Sequence, residues 1–155
     1  MSITFFVPGL PATAGSKKGF PIRRKNGSMG VVITADCKRS APWMSTVALE
    51  AAKHVSKPLQ GPVSLRCEFV LPRPKGHFGS GKNTGVLKSS APRFPTKKPD
   101  LTKLVRCAED ALRGIIWVDD SQVVLQTNVK AYGEVVGVKL TINEAFVEKI
   151  GVLLF

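Results

Sequence analysis

Between Pro62 and Leu71 apolar and polar residues alternate without a break. Val63, Leu65, Cys67 and Phe69 fall at one parity, Ser64, Arg66 and Glu68 at the other. Successive side chains of a strand point to opposite faces, so this segment makes a strand with one apolar face that must be covered. Two stretches of helical spacing can cover it. Trp43, Met44, Val47, Ala48, Ala51 and Val55 recur at steps of three and four, which predicts a helix over about 41–56. Ser40 is its expected N-cap, Pro42 sits in its first turn, and Pro58 and Gly61 end it. Leu101, Leu104, Val105, Ala108, Ala111 and Leu112 form the apolar face of a second helix, begun at Asp100 and stopped by Gly114. Further strands are read at Ile3–Val7 and Val31–Thr34. Two more follow the second helix, at Val123–Val129 and Val135–Ile142, joined at Gly133 as a hairpin. The expected fold is one α+β domain over residues 1–155, a mixed twisted sheet with two helices packed against it.

The 155 residues suffice for a core without disulfide staples. No apolar run approaches the ~20 residues a membrane helix needs. The first eleven residues carry no charged n-region and are broken by Pro8, Gly9 and Pro11, so they do not read as a secretory signal. Cys37, Cys67 and Cys107 are widely spaced and form no CxxC pair, which reads as reduced thiols. His54 and His77 lie in different kinds of segment, which sets aside a histidine-based zinc site.

Charge narrows the partner. The chain holds 23 basic and 11 acidic residues, a net charge of +12, and an excess of that size favours a polyanion. It is also unevenly placed: residues 1–99 hold 17 basic and 3 acidic residues, and residues 100–155 hold 6 and 8. Lys17, Lys18, Arg23, Arg24 and Lys25 lie in a Gly- and Pro-rich loop with room for a short hairpin. A long basic loop follows at about 72–99, with Arg73, Lys75, Lys97 and Lys98 among its cations and no acid at all. Together with Lys103 these are the expected phosphate contacts. In the long loop Phe78, Val86, Leu87 and Phe94 are the candidate anchors, and Phe78 and Phe94 the candidate wedges against DNA bases. Trp43 and Trp117 read as core. The apolar tail Val152-Leu153-Leu154-Phe155 fits packing on the core or on a partner chain.

Carboxylates next to a phosphate-binding surface call for a reason, and a divalent cation is one. Asp100 stands at the start of the second helix and Asp119-Asp120 at the turn before the next strand. By residue type alone, an Asp at a helix start is more often a cap than a ligand, and a paired Asp before a strand is more often a turn.

The stretch Lys98-Pro99-Asp100-Leu101-Thr102-Lys103-Leu104, then Asp110-Ala111-Leu112, then Trp117-Val118-Asp119-Asp120-Ser121-Gln122-Val123 resembles the signature of the RusA family of Holliday-junction resolvases. That family's pattern runs D-x-D-N, D-A-L, W-x-D-D-x-Q-V. Its members are small, dimeric, Mg²⁺-dependent endodeoxyribonucleases common in phages and prophages. The resemblance implies a homodimer that cuts branched DNA such as a four-way junction. It also implies Mg²⁺, with Mn²⁺ as the alternative, and a place in the cytoplasm of a bacterial host. Asp100 and Asp120 match catalytic, metal-holding aspartates, with Asp119 beside the second. Arg106 stands where the family carries a catalytic lysine. Thr102 departs from the pattern, because it occupies the place of a second aspartate and brings no charge. Glu68 is the candidate to replace that charge if its strand face points at Asp100. The alternative is a protein that binds junctions and cuts them poorly or not at all.

Overall fold

The computed structural model describes residues 1–145 apart from 16 and 36. Four strands form the main sheet: β1 (Ser2–Pro8), β4 (Val63–Leu71), β5 (Val123–Tyr132) and β6 (Gly137–Glu144), in the order β1-β6-β4-β5. β2 (Lys17–Arg23) and β3 (Met29–Ala35) pair only with each other, as an antiparallel hairpin. β6 runs antiparallel to both β1 and β4, whereas β4 and β5 are parallel.

A parallel pair cannot be joined by a tight turn. The chain leaves β4 through the 72–99 loop, returns along α2 (Leu101–Leu112), and only then enters β5. α2 and α1 (Ser40–Ala52) pack together over the odd-numbered face of β4. There Val63, Leu65, Cys67 and Phe69 are buried with Leu104, Ala108 and Leu112 of α2 and Val47 of α1. The even-numbered face carries Arg66 and Glu68, with Lys139 opposite Glu68 on β6.

The α+β class and both helices are as the sequence predicts, though α1 ends at Ala52, short of the expected 56, and both tryptophans are core. Several details differ. β5 and β6 are not a hairpin, although adjacent in sequence: β4 lies between them and takes hydrogen bonds from both. Val63, Leu65, Cys67 and Phe69 bury best at the centre of the sheet, and an edge place would leave β4's backbone half unpaired. α1 starts at Ser40, with Arg39 as the N-cap; the Ser40 hydroxyl donates to the Cys37 carbonyl instead of capping. In the long loop Val86, Leu87 and Phe94 are exposed and do not anchor it. It is pinned by polar bonds, Arg73 donating to Pro92 O at 2.9 Å and Lys88 to Gly76 O at 2.9 Å, and by buried Pro95. The apolar tail lies outside the described residues.

Gly137 opens β6 against β1, and a Cβ there would stand 2.3 Å from the Val7 carbonyl oxygen. Backbone cannot move aside as a side chain can. Gly137→Ala is therefore expected to destabilise by about 1–3 kcal/mol or more, read as a lowered midpoint in urea unfolding with an unchanged slope.

Candidate active site and basic cleft

At the ends of β4 and β5 the chain leaves a cleft of about 860 Å³ between residues 10–15, the 72–99 loop and the start of α2. Asp100, Lys103, Lys97, Lys98 and Arg39 line it. Asp100 holds the N-cap position by its backbone, but its side chain makes no capping hydrogen bond. The carboxylate is left half exposed, 3.7 Å from Lys103 Nζ. The first backbone N–H groups of α2 open beside it, where a helix favours anions. Lys130 of β5 fixes this corner: its ammonium donates to Lys97 O at 3.0 Å and Pro99 O at 2.8 Å. Arg73 stacks over the Tyr132 ring at 4.7 Å.

The other carboxylates lie at the far end of the same helix. Gly114, with φ at +77°, closes α2, and its N–H donates to Trp117 O at 2.7 Å. The Trp117 indole, fully buried, donates from Nε1 to Asp120 Oδ1 at 2.9 Å. Arg113 approaches the other Asp120 oxygen at 3.8 Å. Asp119 accepts from Ser121 N at 3.0 Å, and its hydrogen bonds to Ser121 hold its carboxyl below the usual range. Gln122 accepts from the backbone N–H of Val118 and Asp119 and donates to Leu59 O and Gly61 O. The W-V-D-D-S-Q run is thus a self-bonded turn. It spends Asp119 and Gln122 on its own shape and holds the half-buried Asp120 between the Trp117 indole and Arg113.

The twelve residues of α2 separate the two places by about 18 Å at 1.5 Å per residue. Asp100 and Asp120 are not brought together on one chain. Among the described residues no three His, Cys, Asp or Glu side chains form a metal-holding group. Glu68 points to the opposite face of the sheet, bonded to Arg66 Nη2 at 3.0 Å with Lys139 across from it. The Arg66 hydrogen bond keeps its carboxyl below the usual range. On this chain it does not stand in for the charge missing at Thr102.

Arg106 is exposed on α2, one turn beyond Thr102. Arg23 ends β2, and Arg24 and Lys25 lie in the exposed turn of the hairpin; Lys75 lies in a short 3₁₀ turn of the long loop. Lys17 and Lys18 belong to β2 by backbone, and their side chains lie outside the description.

Glu109 went unmarked in the sequence. It sits on the α2 stripe that faces β5 and accepts a hydrogen bond from Gln126. Burial, then the nearby Asp120, pushes its carboxyl up. Nothing local signals this, because the role depends on which strand α2 packs beside. A carboxyl raised by folding favours the folded state below its unfolded value, and this contribution is lost as pH rises through the folded value. Glu109→Gln keeps the acceptor for Gln126 and removes the charge. Its melting temperature should exceed the wild type's at pH 7.5, and the gap should close by about pH 4.

A family model described as "Endodeoxyribonuclease RusA" matches residues 12–143 of this chain. A relative from Bacillus subtilis (strain 168), "Uncharacterized protein YqaN", is 35% identical over 143 residues, covering 92% of this chain and 96% of that one. Both Asp100 and the Asp119-Asp120 turn fall inside the family match. The chain belongs to the RusA endodeoxyribonuclease family.

Proposed function

We propose that this protein is a structure-selective endodeoxyribonuclease that resolves four-way junctions and related branched DNA, acting as a homodimer. The observation that carries the reading is the family match spanning Asp100, Arg106 and Asp120. The cleft supports it. Arg39, Lys97, Lys98 and Lys103 gather around the open N-terminus of α2, a combination suited to the phosphates of a DNA backbone. Arg23, Arg24 and Lys25 extend the basic surface along the hairpin. A junction has two strands to cut symmetrically, which suits a two-fold pair of sites. No described helix is long and apolar enough to cross a membrane, and action in the bacterial cytoplasm, on phage or host DNA, fits this reading.

Mg²⁺, or Mn²⁺ in its place, is the cofactor the family reading carries, and its work would be to activate water and stabilise the leaving oxygen. A hard cation takes several oxygen ligands at about 2.0–2.6 Å. With Asp100 and Asp120 at opposite ends of α2, the described residues of one chain do not by themselves meet that requirement. Thr102 favours a second reading, junction binding with little cutting, because it leaves one ligand charge fewer.

The two readings separate in one assay. Purified protein is incubated with a synthetic four-way junction or a linear duplex, with Mg²⁺ or with a chelator. The nuclease reading expects paired nicks on the junction only, dependent on the cation, and lost in Asp120→Asn while junction binding persists. Tight binding without nicks, at any Mg²⁺ or Mn²⁺ concentration, would leave the binding reading. An Asp120→Asn variant that cuts like wild type would remove Asp120 from the site.

A further inference from the structure

The β2–β3 hairpin stands apart from the rest of the fold. Its strands pair only with each other, and none of residues 19–32 belongs to the buried core. Phe20 lies opposite Val32 and Ile22 opposite Gly30, so Phe20, Ile22 and Val32 share one face. They are 51%, 40% and 39% exposed. Pro21, Met29 and Val31 are exposed on the other face. On a folded domain, contiguous exposed apolar surface marks an interaction site.

Both ends of the hairpin are rooted in the basic cleft. Thr13, Ala14 and Gly15 line that cleft just before β2, and Cys37 and Arg39 line it just after β3. Strands of seven residues carry the turn about 23 Å from this root, at ~3.3 Å per residue. The turn is braced: Asn26 Oδ1 accepts from Ser28 N at 3.1 Å and from Ser28 Oγ at 2.7 Å. Arg23, Arg24 and Lys25 are exposed around it. Arg24 folds back over Gly30, where a Cβ would stand 2.7 Å from its Nε. A cation thus closes the end of the face that holds Phe20 and Ile22. Residues 1–35 contain no acid, and that charge selects a polyanion. Pro21 has no backbone N–H and guards the β2 edge against an added strand, which leaves the faces for contact.

We propose that this hairpin reads the branch point of the DNA. Its Phe20, Ile22 and Val32 face packs against base faces laid open where the arms diverge, and Arg23, Arg24 and Lys25 hold the flanking phosphates. In a linear duplex each base pair is covered by its neighbours, so the hairpin meets only phosphates and groove edges. A branch lays base faces bare at the ends of the arms, and aromatic or aliphatic side chains cover such faces well. Stacking of this kind ignores sequence, because every base has a π-face. The hairpin selects branched DNA, and the cleft at its root receives the backbone beside the branch. This role rests on the reading of the protein as a nuclease for branched DNA, and the two fail in different ways.

The test compares binding to a synthetic four-way junction and to a linear duplex of the same arm sequence, with a chelator present so that nothing is cut. The junction carries 2-aminopurine at the branch point, where its fluorescence reports stacking. Phe20→Ala combined with Ile22→Ala should weaken junction binding by about tenfold and leave duplex binding as it is. The fluorescence change that the wild type causes should disappear with it, and Phe20→Trp alone should keep both. Because the core does not include these residues, the melting temperature should stay that of the wild type. A double variant that keeps the wild-type preference for junction over duplex overturns the role of the hairpin and leaves the nuclease reading standing. A double variant that falls to a smaller oligomer and loses both DNAs alike also overturns it, and gives the face to a second copy of this chain. A wild-type protein with no preference for the junction overturns the reading of function and the hairpin's role together.

Discussion

The parallel pairing of β4 with β5 governs the rest of this structure. Two parallel neighbours oblige the chain to travel the length of the sheet between them, and here α2 makes the return. Everything at the end of β4 therefore meets the start of α2, and everything at the end of α2 meets the start of β5. The basic loop and Asp100 fall at one end, and Trp117, Asp119 and Asp120 at the other. The packing that enforces this is the apolar face of β4 against Leu104, Ala108 and Leu112, all of them buried. A change that loosened it would shift both sets of carboxylates together.

Much of this was legible in the residues. Alternation over Val63–Leu71 and helical spacing over Leu101–Leu112 identified β4 and α2, because one-face burial imposes those periods directly. Gly114 marked the end of α2 because it adopts a positive φ there. The hairpin between β5 and β6 was misread. Nearness in sequence favours a hairpin, and only the buried character of β4 decides that β4 comes between them. Glu68 was a candidate only if its strand face pointed at Asp100. Parity already sets it opposite Cys67 and Phe69, the face the helices cover, and in the structure it is bonded to Arg66 instead.

The site was half legible. The family motif marked Asp100 and Asp120, and the turn chemistry shows why Trp117 and Gln122 accompany the second: one orients its carboxylate, the other knits the turn to Leu59 and Gly61. The helix expected between Asp100 and Asp119 brings them near only if the chain doubles back, and α2 keeps them at its two ends.

The central claim is that the Trp117 indole holds the Asp120 carboxylate in place for the proposed cutting of branched DNA. Nicking of a synthetic four-way junction by a folded Trp117→Phe variant, beside wild type, tests it most directly. The account predicts a fall of about tenfold or more in nicking with junction binding retained. Nicking at the wild-type rate by the folded variant would contradict it.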